Sequence, residues 1–197
     1  MRILVVILPA IAAIITVAVV ACTNSAPETK KETAALDSTG LVKRGDYLVN
    51  SMGCDDCHSP KRMGPKGPEL ISELRLSGFP SKGQLPPGDS TAVKNGWMLM
   101  APDLTAAVGP WGISFAGNLT SDATGIGNWT EENFIRAIRK GKLKGMEQGR
   151  DLLPPMPWTI YKNLTDEDLK SIFAYLKTIP PVDNVVPAPK ALSELKY

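Results

Sequence analysis

A single histidine and three cysteines are present in this 197-residue sequence. A four-ligand zinc site drawn from those residue types would need all four to converge, yet Cys22 lies far along the chain from Cys54, Cys57 and His58, which argues against one. Excess charge of one sign is lacking too: 22 Lys and Arg face 20 Asp and Glu, a formal net charge of +2, with no long basic run. That balance removes the electrostatic footprint of a nucleic-acid-binding protein. No internal repeat is visible, and no stretch alternates apolar and polar residues well enough to declare a sheet. What remains is ordinary globular material, 43% hydrophobic and 21% charged, neither disordered nor collagen-like.

The N-terminus reads as an address. Met1-Arg2 is a short basic start, Ile3 to Ala21 is apolar apart from Thr16 and a break at Pro9, and Val19-Val20-Ala21-Cys22 closes the run. This resembles a bacterial lipoprotein signal, in which the peptide is cut just before a cysteine and the thiol carries a diacylglyceryl group. Residues 1–21 are therefore expected to be a signal peptide and Cys22 a lipidation site. An uncleaved transmembrane helix is the alternative, since the run is just long enough to span a bilayer. Either way the protein is expected to be exported and held at the membrane, on the periplasmic side or in the cell envelope. Residues 22–39 contain few large apolar side chains and read as a flexible tether, with a reach of about 20–25 Å.

Three amphipathic helices are expected in a domain spanning 40–183. Leu41, Gly45, Leu48, Val49 and Met52 fall at helical spacing and lead into Cys54, and Gly45 would permit close approach of another helix. Thr130 is an N-cap before Glu131 and Glu132, with Phe134, Ala137 and Ile138 on one face and Gly141 as the stop. Thr165 caps a third helix, with Asp166, Glu167 and Asp168 in its first turn and Leu169, Ile172, Phe173, Leu176 and Ile179 as its apolar stripe, ending before Pro180-Pro181. Between His58 and Trp111 frequent Gly and Pro leave little room for regular structure, so a long loop from about 61 to 112 is expected to serve a task or wrap something. The tail, 184–197, carries Pro187 and Pro189 and reads as extended.

Chemistry concentrates in Cys54-Asp55-Asp56-Cys57-His58. C-x-x-C-H is the attachment signature of c-type haem: each thiol adds across a haem vinyl group and the adjacent His takes an axial iron position. A thioredoxin-like redox pair would want a βαβ context, whereas here a helix precedes the motif and a Gly/Pro-rich segment follows. With no second His, bis-His ligation within the chain is excluded, leaving a thioether, another weak ligand, water or an open site. Of seven Met, Met156 stands apart because Pro154-Pro155 and Pro157 fix the backbone on both sides, which lowers the ordering entropy of presenting a soft thioether. The competing reading of Met156 is core packing. Trp129 and Trp158 flank that proposed side, where an indole could reach a haem propionate or simply pack. Trp97 and Trp111 are given packing only. Asn118 and Thr120 could meet a propionate or cap a turn, the turn being favoured. Lys140, Lys142, Lys144 and Arg150 could steer an acidic partner or be a solvated face, the solvated face being the commoner case.

Three segments carry a family resemblance: Arg44 to His58, Asn118 to Gly141, and Leu153 to Val182. They resemble the class I c-type cytochromes, and more closely the cytochrome domains that accompany bacterial membrane-bound dehydrogenases. The resemblance implies an all-α fold wrapped around one covalent haem c, with Met156 as the sixth ligand and the first and last helices crossing near the haem. Gly67-Pro68-Glu69-Leu70 looks like the family's G-P-x-L element, whose Pro carbonyl accepts the proximal His N–H, which would make Pro68 a cofactor-binding residue. The expanded loop departs from the pattern. The implied function is outer-sphere electron transfer with no acid–base chemistry, between redox partners such as a dehydrogenase and a terminal oxidase or another cytochrome. The competing expectation is a haem-based gas sensor or haem enzyme with an open sixth position.

Overall fold

The computed structural model describes residues 36–195; residues 1–21, Cys22 and most of the expected tether lie outside them. Helix α1 spans Ser38–Ser51 and starts at Asp37, whose side chain accepts from the Gly40 amide. One turn of helix, α2, follows at Cys54–His58. Far along the chain, Glu131–Lys140 is α4, opened by a reciprocal capping box between Thr130 and Asn133 and closed by Gly141 at φ 62°, a left-handed position that glycine adopts without strain. Trp158–Tyr161 forms the short α5. Asp166–Leu176 is α6, capped by Thr165 and carrying three acids in its first turn.

The long helices pack because their apolar stripes need covering. Helix α1 lies along α6, and Gly45 is the reason they approach so closely: a Cβ there would stand 1.9 Å from the Ser171 carbonyl oxygen. Helix α4 joins through Phe134 and Phe173, whose ring centroids are 5.4 Å apart. The resulting core contains Leu48, Val49, Ile126, Phe134, Leu169, Ile172 and Leu176, together with Leu76 from the segment between α2 and α4.

That segment corrects the expected all-α fold and its structureless loop. Lys61–Gly64 (β1) and Gly67–Leu70 (β2) pair antiparallel, Lys61 opposite Leu70 and Met63 opposite Pro68. After a short helix α3 at Ser90–Lys94, strands β3 (Leu99–Met100), β4 (Ala106–Gly109) and β5 (Gly112–Phe115) form a second antiparallel sheet in the order β3-β4-β5. Strands of two to four residues are too short for alternation to register. Strand β4 is buried at every position, so it reads as a continuous Ala-Ala-Val-Gly run instead of an alternating one. The same Gly residues that suggested a loop supply its turns, with Gly67 at φ 118° and Gly112 at φ 97°. Val93, Val108 and Ile113 make a small core of their own beneath this sheet, joined by Leu195. The final segment is fastened there by a backbone pair between Ile113 and Lys190, at 2.8 and 3.0 Å.

Candidate functional site

Gly53 stands between α1 and α2 at φ 70° and turns the chain so that Cys54, Cys57 and His58 share one helical turn. Both thiols are free and partly buried. Burial, aided by the negative charge of Asp55, pushes the Cys54 thiol up to about 11. Burial raises Cys57 as well, against the opposing cation of Lys61. A redox-active Cys-x-x-Cys pair needs the opposite, a stabilised thiolate; these are protonated thiols at neutral pH.

The imidazole is anchored from one side. His58 Nδ1 lies 2.7 Å from the Gly117 carbonyl oxygen, so Nδ1 carries the proton and donates, leaving Nε2 with a free lone pair. Burial holds the His58 pKa below its ordinary value, outweighing the opposing effect of the Gly117 bond. The backbone is fixed too: Gly78 N donates to His58 O at 2.7 Å. Gly78 sits at φ 77°, where a Cβ would come within 2.5 Å of the Ala116 carbonyl oxygen. The chain thus doubles back from α2 through 76–79 onto 116–119, with Phe79 N bonded to Ala116 O and Leu119 N to Leu76 O.

This route corrects the expectation for Pro68. The β1–β2 hairpin carries Pro68 away to an exposed position opposite Met63, and Gly117 provides the carbonyl that receives the imidazole N–H.

Met156 follows Pro154 and Pro155, and Ser114 Oγ donates to Pro154 O at 2.7 Å to tie the segment to β5. Met52, Cys54, Trp129, Met156 and Tyr161 all pack, half-exposed, against the main core. Tyr161 OH donates to Met52 O at 2.9 Å, joining α5 to the end of α1. Trp158 takes a different place, lying over Gly141, where a Cβ would meet its indole at 2.4 Å, with Lys162 Nζ 5.9 Å from the ring centroid. Trp97 is exposed, and Trp111 donates to Ser114 Oγ at 3.2 Å. Asn118 and Thr120 are buried and lock a turn: Asn118 Oδ1 accepts from Thr120 N and Oγ1 at 2.9 and 2.8 Å. Of the basic group, Lys142 pairs with Asp151 at 2.6 Å, whereas Lys140, Lys144 and Arg150 are exposed.

These residues fit a covalently attached haem. Two unpaired protonated thiols sit on one turn beside a neutral, anchored imidazole. A soft thioether and an indole share the half-exposed apolar wall to which Cys54 belongs. Among the described residues no group of three or more His, Cys, Asp or Glu is placed to hold a metal ion by itself.

One feature of the site has no signature in the sequence. Arg75 donates from Nε and Nη2 to the Asp55 carboxylate, the shortest bond being 2.7 Å. From the same guanidinium it reaches Tyr175 OH at 2.8 Å and Asn50 Oδ1 at 3.0 Å. Arg75 lies in the segment that reads as loop, and nothing local marks its partner.

No family model matches the chain. It is similar to the fructose dehydrogenase cytochrome subunit of Gluconobacter japonicus, 31% identical over 180 residues, covering 90% of this chain and 29% of that protein. The gluconate 2-dehydrogenase cytochrome c subunit of Pantoea cypripedii is 33% identical over 136 residues, 68% of this chain and 22% of its own length. The cytochrome c subunit of the quinone alcohol dehydrogenase of Gluconobacter oxydans is 29% identical over 136 residues, 68% of this chain and 20% of its own length. The chain therefore spans less than a third of the length of each of these relatives.

Proposed function

Since this chain resembles the cytochrome c subunits of dehydrogenases, we propose that it is an electron carrier, a monohaem cytochrome c passing single electrons between redox partners. The observation that carries the reading is the Cys54–His58 turn with its imidazole bonded through Nδ1 to Gly117 O at 2.7 Å, which leaves Nε2 for iron. A bound haem would supply a one-electron ferric/ferrous couple. Cys54 and Cys57 would hold it through thioether bonds, His58 and Met156 would bind its iron, and Trp129 and Trp158 would flank it. The Gly117 bond fixes ring orientation and ligand basicity, and the apolar wall around Met52, Trp129 and Tyr161 limits water. With His and Met as ligands in an apolar setting, the reduced state is favoured and the potential is comparatively high.

The donor is a dehydrogenase and the acceptor a terminal oxidase or another cytochrome. Signal cleavage and lipidation at Cys22 place the domain on the periplasmic side, tethered to the membrane. Ferric and ferrous spectra of protein made with c-haem maturation machinery test the ligand set. Wild type is expected to be low-spin with the weak red ferric band of thioether–iron bonding, and Met156→Ala to lose that band while remaining haem-loaded. A high-spin wild type whose ferrous form binds carbon monoxide readily would overturn the carrier reading in favour of a sensor or haem enzyme.

A further inference from the structure

The residues on either side of the Cys57-His58 pair are tied together by side chains. Asp55, directly after Cys54, accepts from Ser59 Oγ at 2.6 Å, and Ser59 Oγ in turn accepts from Leu76 N at 2.8 Å. Ser59 is fully buried. The same carboxylate takes the forked guanidinium of Arg75, whose other donors reach Asn50 on α1 and Tyr175 on α6. One cation therefore fastens the attachment turn to both long helices that cross beside it. The pair is largely shielded, with side-chain exposures of 27% for Arg75 and 16% for Asp55. On the opposite, backbone side of the turn Lys61 Nζ donates to the carbonyls of Asp55, Asp56 and Ser59 at 3.0, 2.7 and 2.9 Å. Every polar group of this hub is partnered, and such a network holds one arrangement.

We propose that Asp55 and Arg75 form a compensated charge pair that positions the Cys54–His58 turn and in which each charge cancels the shift the other alone would impose on the reduction potential of the haem it carries. The proposal rests on the haem reading above. A shielded charge acts on a neighbouring redox centre with little screening by salt. Arg75→Gln leaves the carboxylate uncompensated, which stabilises ferric iron and lowers the potential. Asp55→Asn leaves the guanidinium uncompensated, which disfavours ferric iron and raises it.

The test is a potentiometric titration of the haem-loaded full-length protein as wild type, Arg75→Gln, Asp55→Asn and the double variant. Each single substitution is expected to move the ferric/ferrous equilibrium about three- to tenfold, in opposite directions, equivalent to about 30–60 mV for a one-electron couple. The double variant is expected to return near wild type. A purely structural role would loosen the turn in both single variants and shift them in the same direction; that result, or no shift in either, overturns the proposal. Arg75→Lys keeps the charge and loses the fork, so it is expected to unfold more readily yet hold a potential near wild type, and a shift matching that of Arg75→Gln would contradict this. If Arg75→Gln fails to load haem, the Asp55→Asn and Arg75→Lys potentials still decide. Absence of covalent haem from wild type is the separate failure of the haem reading itself.

Discussion

Gly78 controls the imidazole without touching it. Its left-handed backbone and its close approach to Ala116 hold the segment whose next carbonyl, that of Gly117, accepts the hydrogen bond from His58 Nδ1–H. Gly78→Ala is expected to cost about 2–4 kcal/mol, combining a strained positive φ with overpacking against backbone. Urea unfolding of the haem-loaded protein measures this, and a loss below about 0.5 kcal/mol would show that the 76–79 and 116–119 segments can separate freely. At this scale the roles proposed for Cys54, Cys57 and His58 come from side chains at fixed spacing, which a sequence displays directly. The partner of His58 was not legible, because a backbone carbonyl 59 residues away leaves no residue-type signature. Pro68 was misread for the same reason: its local pattern is right, but its place is set by the hairpin that follows α2. The Asp55–Arg75 pair joins residues 20 positions apart and was invisible for want of any local rule linking them.

Caps and close approaches decide the helices. Both ends of α4 and the start of α6 were readable because Thr130, Gly141 and Thr165 are side-chain and glycine signals that act within one turn; α6 itself stops at Leu176, short of the expected end before Pro180. Thr130→Ala is expected to destabilise the protein by about 1 kcal/mol, since it removes one half of the capping box. Gly45→Ala is expected to cost more, about 3 kcal/mol or above, because the new Cβ meets the Ser171 backbone and no flexible side chain can yield. Thermal unfolding of both variants checks the order; a Gly45→Ala protein as stable as wild type would mean that α1 does not cross α6 at this point. The strands were the elements the sequence concealed. Two- to four-residue strands closed by Gly turns have the composition of loops, and only long-range pairing such as Ile113 with Lys190 distinguishes them. The all-α expectation fails: five strands in two antiparallel sheets occupy the segment between α2 and α4, with a small second core of their own.

At the scale of the molecule, the chain is similar to cytochrome c subunits of dehydrogenases, and α1, α2 and the chain from Met156 to Tyr161 pack on one core. Tethering to a membrane is a proposal that rests on residues 1–22 alone. Intact mass of wild-type protein from the membrane fraction is therefore expected to show residues 1–21 removed and a diacylglyceryl group on Cys22; a chain that retains residues 1–21 would point instead to an uncleaved N-terminal helix. The central claim is that one haem is held covalently by Cys54 and Cys57. Intact-mass measurement under denaturing conditions tests it most directly, on wild type and Cys54→Ser/Cys57→Ser protein made with the maturation machinery. The account predicts a wild-type mass increased by one haem that survives denaturation, and no retained haem in the double variant. A wild-type chain that carries no covalent haem, or a double variant that still retains one, would contradict it.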